Sequence, residues 1–197
     1  MKTFEEFRAE SEARYQIQEG SVIPLQQERM RKIIADNPDI KRIVEVGFNG
    51  GLSCATLLSA RPDITVVSFD IGRWDYTKKG EELMHEMYPD RFRLIYGDST
   101  KSLPKYISEN PGERHAFDMA FVDGGHVHPV PLTDLQNISK DFVKPGGLVL
   151  MDDYGCVHGV CGVDHAWQTV VAEGTITEEG TETDADRGWV WGRTSQN

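Results

Sequence analysis

Apolar segments alternate with amphipathic segments through the middle of the sequence, and this alternation constrains the fold more than any other feature. Short apolar runs predict β-strands at residues 42–46, 65–69, 92–96, 117–122 and 148–151. The stretches between them predict helices at residues 53–60, 74–88, 101–110 and 131–143. This order is typical of right-handed βαβ units, which build a parallel α/β sheet covered by helices on both faces. Functional residues are expected where the strands end, because ligands bind at the carboxyl edge of such sheets.

The two ends of the chain predict further elements. Residues 3–18 and 24–35 are predicted to form helices. Near the carboxyl end, residues 164–172 predict a helix and residues 188–192 predict an aromatic-rich strand. The acidic, threonine-rich run at residues 178–186 between them is predicted to be a loop.

Length and composition fit a single folded domain. The chain has 197 residues, of which 39% are hydrophobic and 27% are charged, so it is long enough to bury a core of its own. We therefore expect one domain, 1–197, with three parts. These are an N-terminal helical segment (1–37), a core (38–154), and a C-terminal helix with edge strands (155–197).

Charge and hydropathy argue against several classes of partner. The formal net charge is -11, which repels phosphate backbones, so we expect no nucleic-acid partner. No run approaches the roughly 18 apolar residues that a membrane span requires, and the first residues lack the apolar centre of a signal peptide. A cytoplasmic protein without a membrane partner is therefore expected. A zinc site built on Cys156, His158, Cys161 and His165 is disfavoured because the spacing matches no common zinc pattern.

A glycine-rich turn follows the first predicted strand, with Gly47, Gly50 and Gly51 between strand and helix. Glycines here allow a sharp bend and a close approach of the backbone to a ligand. The turn lacks the Gly-Lys-Ser/Thr ending of a phosphate-binding P-loop. A dinucleotide fingerprint starting at Gly47 would need glycines where Asn49 and Leu52 stand, so NAD binding is disfavoured. A plain tight turn remains the alternative for this loop taken alone.

Carboxylates stand at the ends of the second and third predicted strands. Asp70 ends the second strand 19 residues after Gly51, where a carboxylate can accept hydrogen bonds from both hydroxyls of a ribose. A surface aspartate that caps a turn is the alternative. Asp98, followed by Ser99, comes directly after the third strand and can also be the N-cap of the next helix.

Acidic residues and a histidine follow the fourth and fifth strands. Asp123 and His126 come after the fourth strand, and Asp152 and Asp153 after the fifth. Neighbouring carboxylates repel one another, and Mg²⁺ or Mn²⁺ would relieve that repulsion and lower the pKa of a bound hydroxyl. His126 could remove the proton of that hydroxyl as a general base. Alternatively, the aspartates cap a turn and His126 only binds a carbonyl group.

Several of these motifs together resemble a known family. The loop resembles the Glu-x-Gly-x-Gly-x-Gly motif of class I S-adenosylmethionine-dependent methyltransferases, with Asn49 replacing the middle glycine. The run Phe-Val-Asp-Gly-Gly-His at residues 121–126, with Asp134-Leu135 and the later Lys-Pro-Gly-Gly and Asp-Asp-Tyr, is similar to macrocin-type O-methyltransferases. These act on sugar hydroxyls; catechol O-methyltransferases are a more distant likeness. The resemblance implies a Rossmann-like, seven-stranded, mostly parallel sheet with an antiparallel C-terminal edge strand.

The resemblance also implies roles for individual residues. Cofactor-binding positions would be Glu45, Gly47, Asn49, Gly51, Asp70, Asp98, Ser99 and Asp123. The metal ligands would be Asp123, Asp152 and Asp153, although catechol-type enzymes place asparagine where Asp153 stands. The catalytic residues would be His126, as the base, and Asp123.

The expected function is methyl transfer from S-adenosylmethionine to a hydroxyl of a sugar or another small molecule. No Asn/Asp-Pro-Pro-Tyr/Phe motif is present, so methylation of a nucleobase or amino nitrogen lacks its best marker. Two alternatives remain at this point. One is a non-catalytic domain that binds the cofactor or a partner within a larger assembly. The other is an NAD-dependent oxidoreductase, which the glycine spacing disfavours.

Overall fold

The computed structural model describes residues 24–155, 162–184 and 187–196, together with the helical residues Glu6, Ala9 and Ala13. Most of the predicted helix at 3–18 lies outside the described residues, as do Cys156, His158 and Cys161. The helices are α1 Pro24–Asp36, α2 Leu52–Ala60, α3 Asp75–Met87, α4 Ser99–Glu109, α5 Val130–Asn137 and α6 Gly162–Ala172. The strands are β1 Arg42–Val46, β2 Thr65–Asp70, β3 Phe92–Tyr96, β4 Phe117–Val122, β5 Val143–Met151, β6 Ile176–Asp184 and β7 Arg187–Thr194.

The strands form one seven-stranded sheet in the order β3-β2-β1-β4-β5-β7-β6. The first five strands are parallel, and β7 pairs antiparallel to both β5 and β6. The predicted Rossmann-like sheet with an antiparallel C-terminal edge is therefore confirmed. Strand order reverses between β1 and β4, and clefts that receive ligands form beside such switch points.

Two apolar cores, one on each face of the sheet, hold the helices. On one face α1, α2 and α3 pack against the strands, with Met30 and Leu57 fully buried. On the other face α4, α5 and α6 pack, with Trp167 fully buried. Ile43 and Val44 are neighbours on β1 and face opposite cores, which explains why the parallel strands are continuous apolar runs. No helix within the described part of the chain is both long and apolar enough to cross a membrane.

The prediction that residues 178–186 form a loop is wrong. Residues up to Asp184 belong to the edge strand β6, which pairs with β7 from Ile176 onwards. Strand β6 lacks the apolar pattern of the other strands because it lies at the edge of the sheet, with a neighbouring strand on one side, and most of its side chains are exposed. Charged residues on such an edge discourage pairing with a second chain. The acidic, threonine-rich composition of residues 178–184 is therefore that of an edge strand.

The predicted helix at 131–143 is also shorter than expected. The α-helix α5 ends at Asn137, and one π-helical turn, Ile138–Phe142, follows it. Strand β5 then begins at Val143, five residues before the predicted start. The Pro-Gly-Gly run at residues 145–147, which lies outside the predicted strand, is part of the observed one. Val143 pairs with Phe117, and the register shifts before Met119, so this part of β5 is irregular.

Candidate functional site

A cavity of about 830 Å³ opens at the carboxyl ends of the parallel strands. Eight of the site residues predicted from the sequence line it: Gly47, Asn49, Asp70, Asp98, Ser99, Asp123, His126 and Asp153. The other three predicted residues, Glu45, Gly51 and Asp152, are not part of the lining. The topology thus brings side chains from four strand ends, and from the turn after β5, to one cleft.

The glycine loop is pressed against the end of β4. Gly47 has a φ of +95°, and a Cβ built on it would lie 1.8 Å from the carbonyl oxygen of Asp123. Backbone hydrogen bonds fasten the same region, since the N–H of Asp123 donates to Val46 (2.8 Å) and that of Gly47 to Phe69 (2.8 Å). Only glycine allows this approach. The loop at the end of β1 is therefore held against Asp123, the residue that follows β4.

Gly51 and Glu45 support the glycine loop without lining the cavity. Gly51 has a φ of +86°, and a Cβ there would come within 2.6 Å of the Phe48 ring. Glu45 is fully buried, and its carboxyl accepts hydrogen bonds from the hydroxyls of Ser53 and Ser68. Burial raises the pKa of Glu45 to about 7. These contacts tie Glu45 of β1 to Ser53 of α2 and Ser68 of β2, on either side of the glycine loop, so Glu45 supports the geometry of that loop.

Asp70 joins two loops at the rim of the cavity. One carboxylate oxygen accepts the N–H of Asn49 (2.8 Å), and the other accepts the N–H of Gly72 (2.7 Å). A carboxylate has about four acceptor positions, so both oxygens can take further hydrogen bonds. Asp70 can therefore hold the glycine loop and still accept two hydroxyl groups from a ligand in the cavity.

Asp98 is the N-cap of α4 as well as a wall of the cavity. Its side chain accepts the N–H (3.1 Å) and the hydroxyl (2.6 Å) of Thr100, and its other oxygen lies 3.0 Å from Nζ of Lys101. The hydrogen bond from Thr100 and the neighbouring Lys101 lower the pKa of Asp98. Asp98 thus presents a charged acceptor at the start of a helix, beside Ser99.

Sequence reasoning missed a buried carboxyl, Asp134 of α5, beneath this wall. Its side chain is fully buried, and one oxygen accepts a hydrogen bond from the hydroxyl of Ser99 (3.0 Å). The other oxygen has no hydrogen-bond partner within the described residues. Burial raises the pKa of Asp134 to about 7. The sequence analysis had quoted the Asp134-Leu135 pair as part of the family resemblance but had assigned no role to the aspartate.

Replacing Asp134 with asparagine is expected to stabilise the protein above neutral pH. Because the folded-state pKa exceeds that of the unfolded chain, the folded state binds the extra proton between the two values, and stability falls as pH rises through that window. Asp134→Asn has no charge to bury, so its free energy of unfolding at about pH 8 should exceed that of the wild type by about 1–3 kcal/mol. Denaturant unfolding at several pH values measures this gain, which should shrink towards about pH 5. An equal difference at every pH, or the same gain in the exposed Asp75→Asn control, would contradict it.

Sequence reasoning also missed two side chains at the mouth of the cavity. Ile71 and Trp74 follow β2 and line the cavity, although 67% and 38% of their surface is exposed. The guanidinium of Arg73 lies 4.8 Å from the centre of the Trp74 ring. Exposed apolar groups beside polar acceptors are typical of sites for flat, partly apolar ligands. Neither belonged to a motif of the sequence: Ile71 lies in the loop after β2, and Trp74, predicted to begin a helix, is the N-cap residue of α3.

Asp123, His126 and Asp153 form a cluster on the other side of the cavity. Nε2 of His126 lies 3.0 Å from Oδ2 of Asp153 and 3.6 Å from Oδ1 of Asp123. A hydrogen bond with Asp123 and the charges of both carboxylates raise the pKa of His126. The N–H of Gly162, the first residue of α6, donates to the carbonyl of His126 (2.7 Å) and fixes its backbone.

The same cluster has the donor set of a divalent-cation site. One ligand atom from each of the three side chains lies within 4.8 Å of the other two. The two carboxylates suit Mn²⁺ or Mg²⁺ with water completing the shell, whereas the imidazole is a more usual ligand of Zn²⁺ or Fe²⁺. Asp152, also predicted as a ligand, is not part of this group: Gln26 donates to both of its oxygens, and 6% of its surface is exposed. His126 is the third candidate ligand, beside Asp123 and Asp153.

Comparisons with known proteins agree with the fold. A family model described as a methyltransferase domain matches residues 44–154, more than half of the chain. The O-methyltransferase TomG from Streptomyces achromogenes, in complex with S-adenosylmethionine, is 19% identical with a TM-score of 0.77, over 99% of this chain and 91% of that one. The methyltransferase PaMTH1 from Podospora anserina, bound to S-adenosylhomocysteine, is 18% identical with a TM-score of 0.77, over 98% and 87%.

A third structure is similar in the same way. An O-methyltransferase from Bacillus cereus, in complex with S-adenosylhomocysteine, is 18% identical with a TM-score of 0.74, over 97% of this chain and 90% of that one. At identities this low, the likeness to these structures shows a shared fold and nothing further. A search of curated proteins finds no significant match to the sequence.

Proposed function

Since the chain belongs to the methyltransferase-domain family, we propose that it transfers the methyl group of S-adenosylmethionine to a hydroxyl of a small molecule, with a sugar as the preferred acceptor. The observation that carries this proposal is the division of one cavity into two halves. Asp70 and Asp98 stand on one side, and the cluster of Asp123, His126 and Asp153 stands on the other. The first half suits a nucleoside and the second suits proton removal from a hydroxyl.

The cofactor would lie along the ends of β1, β2 and β3. The backbone between Gly47 and Asn49 would hold the methionine part, Asp70 would accept the ribose hydroxyls, and Asp98 with Ser99 would meet the adenine. The described contacts of Asp70 leave acceptor positions for those hydroxyls. The cofactors present in TomG and in the Bacillus cereus enzyme support this arrangement by analogy of fold.

The acceptor hydroxyl would lie against His126. As its oxygen attacks the methyl carbon, an O–C bond forms and the S–C bond breaks, so that S-adenosylhomocysteine leaves. The neutral imidazole takes the hydroxyl proton, and the neighbouring carboxylates of Asp123 and Asp153 stabilise the imidazolium that results. Alignment of oxygen, methyl carbon and sulfur supplies much of the rate of such a displacement.

A bound Mg²⁺ or Mn²⁺ is the alternative use of the same cluster. Such an ion would lower the pKa of a hydroxyl bound to it. An imidazole that binds a cation through one ring nitrogen carries its proton on the other and has no lone pair left to act as a base. The two alternatives therefore predict opposite results. With His126 as the base, activity persists in excess chelator. Activity that disappears in chelator and returns with Mg²⁺ or Mn²⁺ would assign the cluster to a cation.

The experiment that tests the proposed function is a screen for methyl acceptors. The full chain is mixed with S-adenosylmethionine and with sugars, nucleotide sugars, phenols or amines, and release of S-adenosylhomocysteine is measured. The carbon chemical shift of the transferred methyl group then shows whether it is bound to oxygen or nitrogen. We expect oxygen products, with sugars the best acceptors. Products methylated only on nitrogen, or binding of the cofactor without transfer to any acceptor, would contradict the proposal.

Asp70→Asn is expected to weaken cofactor binding. The amide presents one acceptor oxygen, so the side chain can no longer accept hydrogen bonds from both ribose hydroxyls and also hold its two backbone N–H groups. Loss of a hydrogen bond to a charged group predicts a decrease in S-adenosylhomocysteine affinity of about 10- to 100-fold, measured by calorimetry. Asp75→Asn, five residues later on the exposed start of α3, is the matched control. Equal affinity in Asp70→Asn and the wild type would remove Asp70 from the cofactor site.

A further inference from the structure

A side chain from outside the family-matched region contacts the edge of the proposed catalytic site. Gln26 lies in the first turn of α1, ahead of the matched residues 44–154, and 7% of its surface is exposed. Its Nε2 atom lies 2.9 Å from Oδ1 and 3.1 Å from Oδ2 of Asp152. Sequence reasoning missed this contact because it spans 126 residues and Gln26 belongs to no motif.

The contact continues from Asp152 into the cluster. Oδ1 of Asp152 also accepts the N–H of Asp153 (2.9 Å), whose φ of +59° lies in the left-handed region. A residue other than glycine adopts that conformation at a cost, so the turn needs bonds that hold it. Oδ2 of Asp153 in turn lies 3.0 Å from Nε2 of His126. One path of contacts thus runs from Gln26 through two aspartates to the imidazole.

Helix α1 is itself firmly placed. Met30 and Ile34 are buried in the core against the sheet. Arg29 forms a salt bridge with Glu182 of the edge strand β6 (2.7 Å). The amide of Gln26 is therefore presented from a fixed helix, which makes it suited to orient a carboxylate.

We propose that Gln26 is a positioning residue that orients Asp152 and, through it, holds the Asp153 carboxylate against His126. The inference rests on the proposed function, since it assumes that the cluster carries out the methyl transfer. Loss of a hydrogen-bond donor that orients a ligating or catalytic group typically lowers activity by about 10- to 100-fold. Gln26 and Asp152 lie outside the cavity lining, so cofactor affinity should change little.

The test exchanges donor and acceptor. Gln26→Glu places a second carboxylate against Asp152 and should lower kcat by about 10- to 100-fold. In the double variant Gln26→Glu with Asp152→Asn, the new amide donates to the new carboxylate, and its oxygen can still accept the N–H of Asp153. We expect the double variant to recover most of the lost kcat. Gln27→Met is the matched control, because Gln27 is the neighbouring buried amide (3% exposed) and is expected to leave kcat near that of the wild type.

Two further measurements separate positioning from folding and from the proposed function. Affinity for S-adenosylhomocysteine should be the same in Gln26→Glu and the wild type, which an unfolded variant would not show. The ring nitrogen chemical shifts of His126, assigned by comparison with His126→Gln, should move in Gln26→Glu and return in the double variant. A kcat unchanged in Gln26→Glu, a double variant as slow as Gln26→Glu, or unmoved His126 signals would each overturn the inference. Absence of any methyl transfer in the wild type, with the His126 signals moving as expected, would instead count against the proposed function alone.

Discussion

Replacing His126 with alanine is expected to lower kcat by about 10²- to 10⁴-fold, the range that a positioned general base contributes. The imidazole is the basic group of the cluster in the cavity, with carboxylate oxygens at 3.0 Å and 3.6 Å from Nε2. Without it the hydroxyl proton has no imidazole to accept it at the attacking oxygen, and the carboxylates of Asp123 and Asp153 lose the ring that lies between them. Steady-state kinetics with the best acceptor from the screen measures the loss.

The loss should be confined to the chemical step. His126 stands on the half of the cavity opposite to Asp70 and Asp98, so affinity for S-adenosylhomocysteine should stay within about twofold of the wild type. His128→Ala is the matched control, since His128 belongs to the same loop, is exposed and does not line the cavity. A kcat for His126→Ala within about threefold of that for His128→Ala would exclude His126 as the base.

Gly47→Ala should remove cofactor binding and most of the stability of the fold. A Cβ at this position would lie 1.8 Å from the carbonyl oxygen of Asp123, at a φ of +95°. The clash is with backbone, which cannot rotate away, and the left-handed conformation adds strain of its own. Overpacking and strain together predict a loss in the free energy of unfolding of about 3–5 kcal/mol. Denaturant unfolding and calorimetry with S-adenosylhomocysteine measure the two effects.

Two other glycines separate the clash from the strain. Gly112 has open space around it, so Gly112→Ala should change stability by less than about 0.5 kcal/mol. Gly174 also has open space but a φ of +71°, so Gly174→Ala should cost only about 1–2 kcal/mol. If Gly47→Ala costs no more than Gly174→Ala, the close approach to Asp123 does not constrain the loop.

Local sequence patterns predicted the parts of the fold that local forces decide. The bounds of β1, β3 and β4 match the predicted ones. β1 and β4 lie inside the sheet and are mostly buried on both faces, which favours continuous apolar runs, whereas β3 at the sheet edge buries the alternate residues Phe92 and Leu94. The edge strand β6 lacks such a pattern and was predicted as a loop. The end of α5 was also misplaced, because a π-helical turn follows it and the irregular start of β5 is set by its pairing with β4, which the local sequence does not show.

The same distinction applies to the site. Asp70, Asp98, Asp123 and His126 could be predicted because each follows a strand, and the ends of parallel strands meet at one edge. Asp134 and Gln26 could not, since both lie on helices and reach the site only through tertiary packing. For Asp152 the chain order predicted proximity to the cluster, but the direction of its side chain depends on Gln26, 126 residues away.

The cavity at the ends of β1 to β4 should bind the cofactor of a methyltransferase. Calorimetric titration of the full chain with S-adenosylhomocysteine, and separately with NADH, measures this binding without knowledge of the acceptor. We expect saturable binding of one S-adenosylhomocysteine per chain, weakened by Asp70→Asn, and no heat with NADH. Saturable binding of NADH with no binding of S-adenosylhomocysteine would contradict the account.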